Sequence, residues 1–178
     1  DHYLKHIKAD FNWVKKISWK YTVLFYNFCD LVLSPSQSLA DAMAANGLKK
    51  PVMVMRNPVE TDLFIPCPNE KTKTALKNEF SIRGKSLVFT GRISYEKDID
   101  QVLKAFSLAV KKNANIQLMI VGEGPEKINL ERLTDDLGIK EKVIFTGLLE
   151  REGSLIRALQ ANDIFITSPG RMIKDHTS

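Results

Sequence analysis

No stretch of this sequence approaches the roughly 18 uninterrupted apolar residues that a membrane-crossing helix requires. Its N-terminus also lacks the charged, apolar and small-residue succession that directs secretion. The expectation is a cytoplasmic protein, with the inner face of a membrane as the other place it could work. Cysteine is scarce: Cys29 and Cys67 lie far apart with no metal-ligand spacing around either, which argues against a disulfide scaffold and a zinc site. His2 and His6 have an i, i+4 spacing that would suit a metal, but no third ligand is evident, so they read as surface histidines. Nor is the composition that of a disordered chain. With 44% apolar and 26% charged residues, 178 residues suffice for one full domain or two incomplete ones.

What is present in excess is positive charge. A net charge of +5 suits an anionic partner without choosing among phosphate ligands, acidic lipid and nucleic acid. Its distribution is more informative. Lys5, Lys8, Lys15, Lys16 and Lys20 are interleaved with Tyr3, Phe11, Trp13, Trp19, Tyr21, Phe25, Tyr26 and Phe28. The preferred reading is a helix whose aromatic stripe packs on its own domain while the lysines face water. A peripheral membrane contact comes second. Nucleic acid is not expected as a partner.

Pro51, Pro58, Pro66 and Pro68 interrupt regular structure, and 56–70 reads as a linker. Before it, an apolar run over 30–34 reads as a strand, and Ser36 can cap a helix with Leu39, Ala40 and Met43 as its buried stripe. Asn46-Gly47 stops that helix and Val52–Met55 gives a second strand. After the linker, strands are expected at 86–90, 116–121, 142–146 and 163–167. Helices are expected at 98–111, with a capping box of Asp98 and Gln101; after Pro125, through Leu130, Leu133 and Leu137 to a stop at Gly138; and at 154–161. Strands alternating with amphipathic helices predict an α/β fold with Rossmann-like parallel sheets.

In such sheets ligands bind beyond the carboxyl ends of the strands. Gly91, Gly122 and Gly147 each follow an apolar strand, and Gly124 lies in the second of these loops, so three loops could let a ligand approach backbone amides. Turn geometry alone is the competing explanation. Arg92 and Lys97 add a planar fork and a mobile point charge for phosphate oxygens, although Glu96 could pair with Lys97 as a mere surface contact. Gly122-Glu-Gly124 imitates the start of a dinucleotide fingerprint. It follows the second strand rather than the first, Lys127 stands where the third glycine belongs, and Thr146 stands near where an acid is needed, so an oxidoreductase is not expected.

Four segments, Phe89–Lys97, Ile120–Pro125, Val143–Gly147 and Ala161–Ser168, together resemble the nucleotide-sugar-binding domain of family 4 retaining glycosyltransferases of the GT-B fold. Cys29–Ser36 and Arg56–Phe64 resemble the end of that family's acceptor-side domain and its interdomain connection. The resemblance implies 1–55 as the C-terminal part of the acceptor-side domain, 56–70 as the interdomain linker and 71–178 as a truncated nucleotide-sugar-binding domain, both domains being incomplete. It implies transfer of a sugar from a nucleoside diphosphate sugar to an acceptor hydroxyl, on a lipid or a glycan, with retention and with no metal or other cofactor. Arg92 and Lys97 would hold the diphosphate and stabilise the charge that grows on it. Gly91 and Gly122, Glu123, Gly124 and Pro125 would line the cleft, the backbone around Phe145, Thr146 and Gly147 would meet the base, and Asn57 is a further cleft candidate. The family continues past the fourth strand into a helix bearing paired glutamates, which Gly170–Ser178 does not show. The resemblance therefore implies a fragment inactive by itself. The competing expectation is a non-catalytic nucleotide-sugar-binding module.

Overall fold

The computed structural model describes residues 12–168. His2, His6 and the tail after Ser168 lie outside them. The chain divides into two compact units, 1–59 and 60–178.

In the first unit, helix α1 (Asn12–Tyr26) leads to strand β1 (Val32–Ser34), helix α2 (Gln37–Ala45) and strand β2 (Val52–Val54), and the two strands pair in parallel. Ser36 has the extended backbone of an N-cap, and its hydroxyl accepts the Leu39 amide at 3.3 Å, as expected of it. Gly47 at φ +97 ends α2 in the left-handed region. Ala40 and Met43 form the buried stripe, but Leu39 is 38% exposed and does not belong to it. The aromatic stripe of α1 is divided between two faces of the helix. Val23 is buried, with Trp19 and Tyr26 half-buried, while Trp13, Ile17, Tyr21, Leu24 and Phe25 are exposed.

The second unit opens with helix α3 (Glu70–Glu79), a helix with no apolar stripe to announce it, capped by Asn69, whose Oδ1 accepts the Thr72 amide at 2.8 Å. It continues through strand β3 (Lys85–Thr90), helix α4 (Ile99–Lys112), strand β4 (Ile116–Val121), helix α5 (Lys127–Asp136), strand β5 (Val143–Gly147), helix α6 (Ser154–Ala161) and strand β6 (Ile164–Phe165). All pairings are parallel, in the order β5-β4-β3-β6. The period of two along the strands sorts their side chains onto two faces. Phe89, Leu118 and Ile120 join Leu103, Phe106 and Leu130 of α4 and α5 in one core. Val88, Met119 and Val121 join Leu76 of α3 with Ala158 and Ala161 of α6 in the other. Complete burial of a leucine or isoleucine contributes about 1.5–3 kcal/mol, and Leu103, Leu118 and Ile120 are completely buried.

Two local expectations fail. Asp98 ends a short 3-10 turn, Tyr95–Lys97, in the left-handed conformation at φ 54, so its side chain cannot fold back as a cap and the box with Gln101 does not form. Pro125 lies in the turn before α5 rather than in its first turn. Residues 60–69, part of the expected linker, pack onto the second unit: Gln160 Nε2 donates to the Ile65 carbonyl at 3.1 Å, and Arg151 lies over the Phe64 ring and pairs with Glu60 at 2.7 Å.

At the start of β6, Asp163 ties the layers together. Its carboxylate meets Lys73 Nζ at 2.6 Å and Lys77 Nζ at 2.7 Å, i and i+4 on α3, and accepts the Ser86 amide of β3 at 2.9 Å. Burial pushes this carboxyl up, but the two lysines and the Ser86 amide override burial and hold it well below the usual carboxylate range. A depressed folded value means the contribution is complete above the ordinary value of 3.8 and drains away as the pH falls below it. Asp163→Asn should therefore lower stability by about 2 kcal/mol at neutral pH. In urea melts, the gap between variant and wild type should close as the pH is taken below about 4; a gap independent of pH would contradict this role.

Candidate functional site

The order β5-β4-β3-β6 contains a reversal. From β3 the chain steps to β4 and β5 on one side, then α6 carries it back to β6 on the other. Beyond the carboxyl ends of β3 and β6 lies the switch point where ligands of open α/β sheets bind. The loop after β3 contributes Gly91–Ser94 there, and Ile166–Ser168 follow β6.

Backbone contacts between the exits of β3 and β4 fix that loop. The Gly91 amide donates to the Val121 carbonyl at 3.0 Å, the Ile93 amide to the Glu123 carbonyl at 2.9 Å, and the Glu126 amide to the Ile93 carbonyl at 3.2 Å. Glycine is required because the two backbones nearly touch. A Cβ on Gly122, which has φ +143, would stand 2.0 Å from the Gly91 carbonyl oxygen, and one on Gly124 would stand 2.1 Å from that of Ile93. The Gly122 amide is also used, donating to the Gly147 carbonyl at 2.9 Å. The amides of Gly91 and Gly122 therefore extend the sheet. Among the described residues, the amides of Arg92, Glu123 and Gly124 have no hydrogen-bond partner.

Arg92 and Lys97 are exposed and make no ion pair among the described residues. Glu96 does not take Lys97 as its partner. Its carboxylate accepts the Ser94 hydroxyl at 2.6 Å, which holds it below the usual carboxylate range, with smaller contributions from the charges of Arg92 and Lys97. The two cations thus flank one carboxylate without being consumed by it. A hollow of about 370 Å³ between α4 and α5 is lined by Lys104 as well as Asp100, Glu126 and Asp136, and Lys104 pairs with Asp100 at 3.2 Å. A larger cleft of about 590 Å³, between Phe64–Glu70 and α6, lies near the start of β6 and away from the strand exits.

Glu123 is exposed beside Gly147 and paired with Lys127 at 2.7 Å. This contact holds the lysine ammonium above its ordinary range. Lys127 was noted in the sequence only for interrupting a fingerprint, although its i, i+4 spacing from Glu123 signals the pair. Pro125 is exposed in the same loop. The Phe145 side chain packs against the core formed with α4 and α5, which leaves only backbone at that position for a ligand. The Thr146 hydroxyl donates to the Gly147 carbonyl at 3.0 Å. Asn57 is exposed in the first unit. Among the described residues there is no group of three or more side chains suited to a metal ion.

A doubly wound parallel domain whose first strand exit carries free cations belongs to a broad class of α/β proteins, and comparison with known proteins narrows it. The family model described as "Glycosyl transferases group 1" matches residues 71–171, more than half of the chain, which therefore belongs to that family. The chain is 30% identical over 147 residues to alpha-monoglucosyldiacylglycerol synthase of Streptococcus pneumoniae, covering 81% of this chain and 33% of that protein. It is 28% identical over 151 residues to the GDP-mannose-dependent alpha-mannosyltransferase of Corynebacterium glutamicum, covering 84% of this chain and 33% of that protein. It thus spans about a third of the length of these curated relatives. Among solved structures, Anabaena Alr3699/HepE in complex with UDP-glucose superposes with a TM-score of 0.73 at 17% identity, over 86% of this chain and 42% of that one. The pneumococcal O-GlcNAc transferase GtfA, in complex with UDP and GlcNAc, gives 0.62 at 17% identity over 84% and 28%. The fold is that of GT-B glycosyltransferases.

The loop contact is open to test. Gly122→Ala adds both the strain of a positive φ open essentially to glycine alone and a clash with backbone, and should cost more than about 2 kcal/mol in a denaturant melt. Gly47→Ala, where a Cβ meets nothing within 4 Å, should cost about 1 kcal/mol. Equal costs would refute the clash.

Proposed function

We propose that the protein represented by this chain transfers a sugar from a nucleoside diphosphate sugar to an acceptor hydroxyl, with retention at the anomeric carbon and without a bound metal. The observation that carries this reading is the pair of unconsumed cations, Arg92 and Lys97, at the exit of the central strand β3 beside the switch point. As the bond from the anomeric carbon to the diphosphate oxygen breaks, negative charge grows on the leaving diphosphate. Cations already in place stabilise that charge without reorganising. Arg92 offers two parallel donors to phosphate oxygens, and Lys97 a point charge.

In this reading Gly91 keeps the backbone low beneath the phosphates, and Gly122, Glu123, Gly124 and Pro125 form the wall of the cleft. The backbone at Phe145, Thr146 and Gly147 meets the base, and Asn57 is a further cleft candidate. No cofactor is needed besides the donor substrate. Family membership supports the transferase assignment. The titles of the UDP and UDP-glucose complexes among its structural neighbours support a nucleotide-sugar donor. The acceptor is a lipid or a glycan, and the name of the pneumococcal relative, a diacylglycerol glycolipid synthase, favours a lipid. A cytoplasmic place at the inner face of a membrane, with peripheral contact to it, belongs to the same reading.

Calorimetric titration with UDP and with GDP tests the donor site. One nucleotide should bind, and Arg92→Ala and Lys97→Ala should each weaken it by about 1–3 kcal/mol, roughly 5- to 150-fold. Unchanged affinity in both variants would reject the assignment.

A further inference from the structure

The Gly147 carbonyl, at the exit of β5, has no acceptor capacity left. It takes the Gly122 amide at 2.9 Å and the Thr146 hydroxyl at 3.0 Å, one for each of its lone pairs. A nucleobase lying against this backbone must therefore offer its ring N–H to a different acceptor. One stands beside it. The Glu123 carboxylate reaches across from the loop after β4, and a Cβ built on Gly147 would meet its Oε1 at 2.9 Å. Oε1 accepts Lys127 Nζ at 2.7 Å, while Oε2 has no hydrogen-bond partner among the described residues.

Both ends of this pair are anchored in backbone. The Glu123 carbonyl accepts the Ile93 amide at 2.9 Å, and Lys127 opens α5 with its own amide on the Gly124 carbonyl at 3.2 Å. The contact thus joins a loop to the first residue of a helix. Its contribution to stability is small, because the Glu123 side chain is 49% exposed. Its effect is to hold a carboxylate over the strand exit.

Uracil and guanine each carry a ring N–H beside a carbonyl oxygen on their outer edge. Cytosine and adenine carry a bare ring nitrogen there, beside an amino group. A carboxylate can only accept, so it bonds the ring N–H of the first two and opposes the ring lone pair of the others. The amino hydrogens of cytosine and adenine lie one atom further along the edge, and they reach the carboxylate only if the base slides away from where the diphosphate contacts hold it. We propose that Glu123 reads the base of the donor by accepting its ring N–H, which selects uracil and guanine over cytosine and adenine, and that Lys127 is the positioning residue that holds the carboxylate over Gly147. This rests on the donor-site reading above, in which the base lies at the exit of β5. It deepens that reading by naming the class of donor, a nucleoside diphosphate sugar with a keto base.

UDP and CDP differ only at this edge, and GDP and ADP chiefly there. Calorimetric titration of the 178-residue chain should give UDP an affinity at least about tenfold above CDP, or GDP the same margin above ADP, according to the ring size the site admits. Glu123→Gln, whose amide can donate to a bare ring nitrogen, should bring the two members of the pair to similar affinity. Lys127→Met should narrow the ratio and Lys127→Arg should restore it. Arg92→Ala should weaken both members equally and leave the ratio unchanged. Equal binding of the two members by the unaltered chain, or a ratio that survives Glu123→Gln, would overturn the proposal and leave the donor site standing. A ratio untouched by Lys127→Met would overturn the positioning role of the lysine. Failure of every nucleotide to bind, or unchanged affinity in both Arg92→Ala and Lys97→Ala, would reject the donor site and this inference with it.

Discussion

The close approach of two backbones at the exits of β3 and β4 governs the carboxyl edge of the second unit. Gly122 and Gly124 have no room for a Cβ against the carbonyls of Gly91 and Ile93. That proximity lets the Ile93 and Glu126 amides bond across the gap. The first loop thereby becomes an extension of the sheet rather than a free segment. Arg92 leaves a backbone braced on both sides of it, and the 3-10 turn bearing Lys97 follows at once. Cations held on a stiff frame lose less entropy when they grip a ligand than cations on a mobile loop, which is the benefit of preorganisation.

The two ends of the same sheet treat charge in opposite ways. At the start of β6, two lysines and a carboxylate satisfy one another almost completely and connect α3 to β3 and β6. At the far end Arg92 and Lys97 are left unmatched, and the nearest acid, Glu96, is held by a serine hydroxyl instead. Neutralised charge serves the fold at one edge. Unneutralised charge at the other contributes little to stability, and in the proposed function it serves the donor's diphosphate.

Much of this was legible in residue order. The alternation of strands and helices after residue 85, the glycines at strand exits and the motifs around Arg92 and Lys97 are local patterns with local causes, and they define the parallel fold and the candidate site. Other features have no local cause. Helix α3 reads as a polar run, because Leu76 is its single buried residue and its remaining hold comes from lysines reaching an aspartate far along the chain. Asp98 matches a capping box but is turned left-handed by the 3-10 turn before it. The aromatic stripe of α1 is visible in sequence, whereas its division into an inward and an outward face depends on which side the rest of the unit covers. Sequence by itself determined the periodicity, the family resemblance and the two cations that follow the first strand of the second unit, because these depend on neighbours a few residues apart. Only tertiary structure decided why Gly122 and Gly124 must be glycine, which amides are already spent and which aspartate the α3 lysines reach, because each follows from segments brought together across the fold.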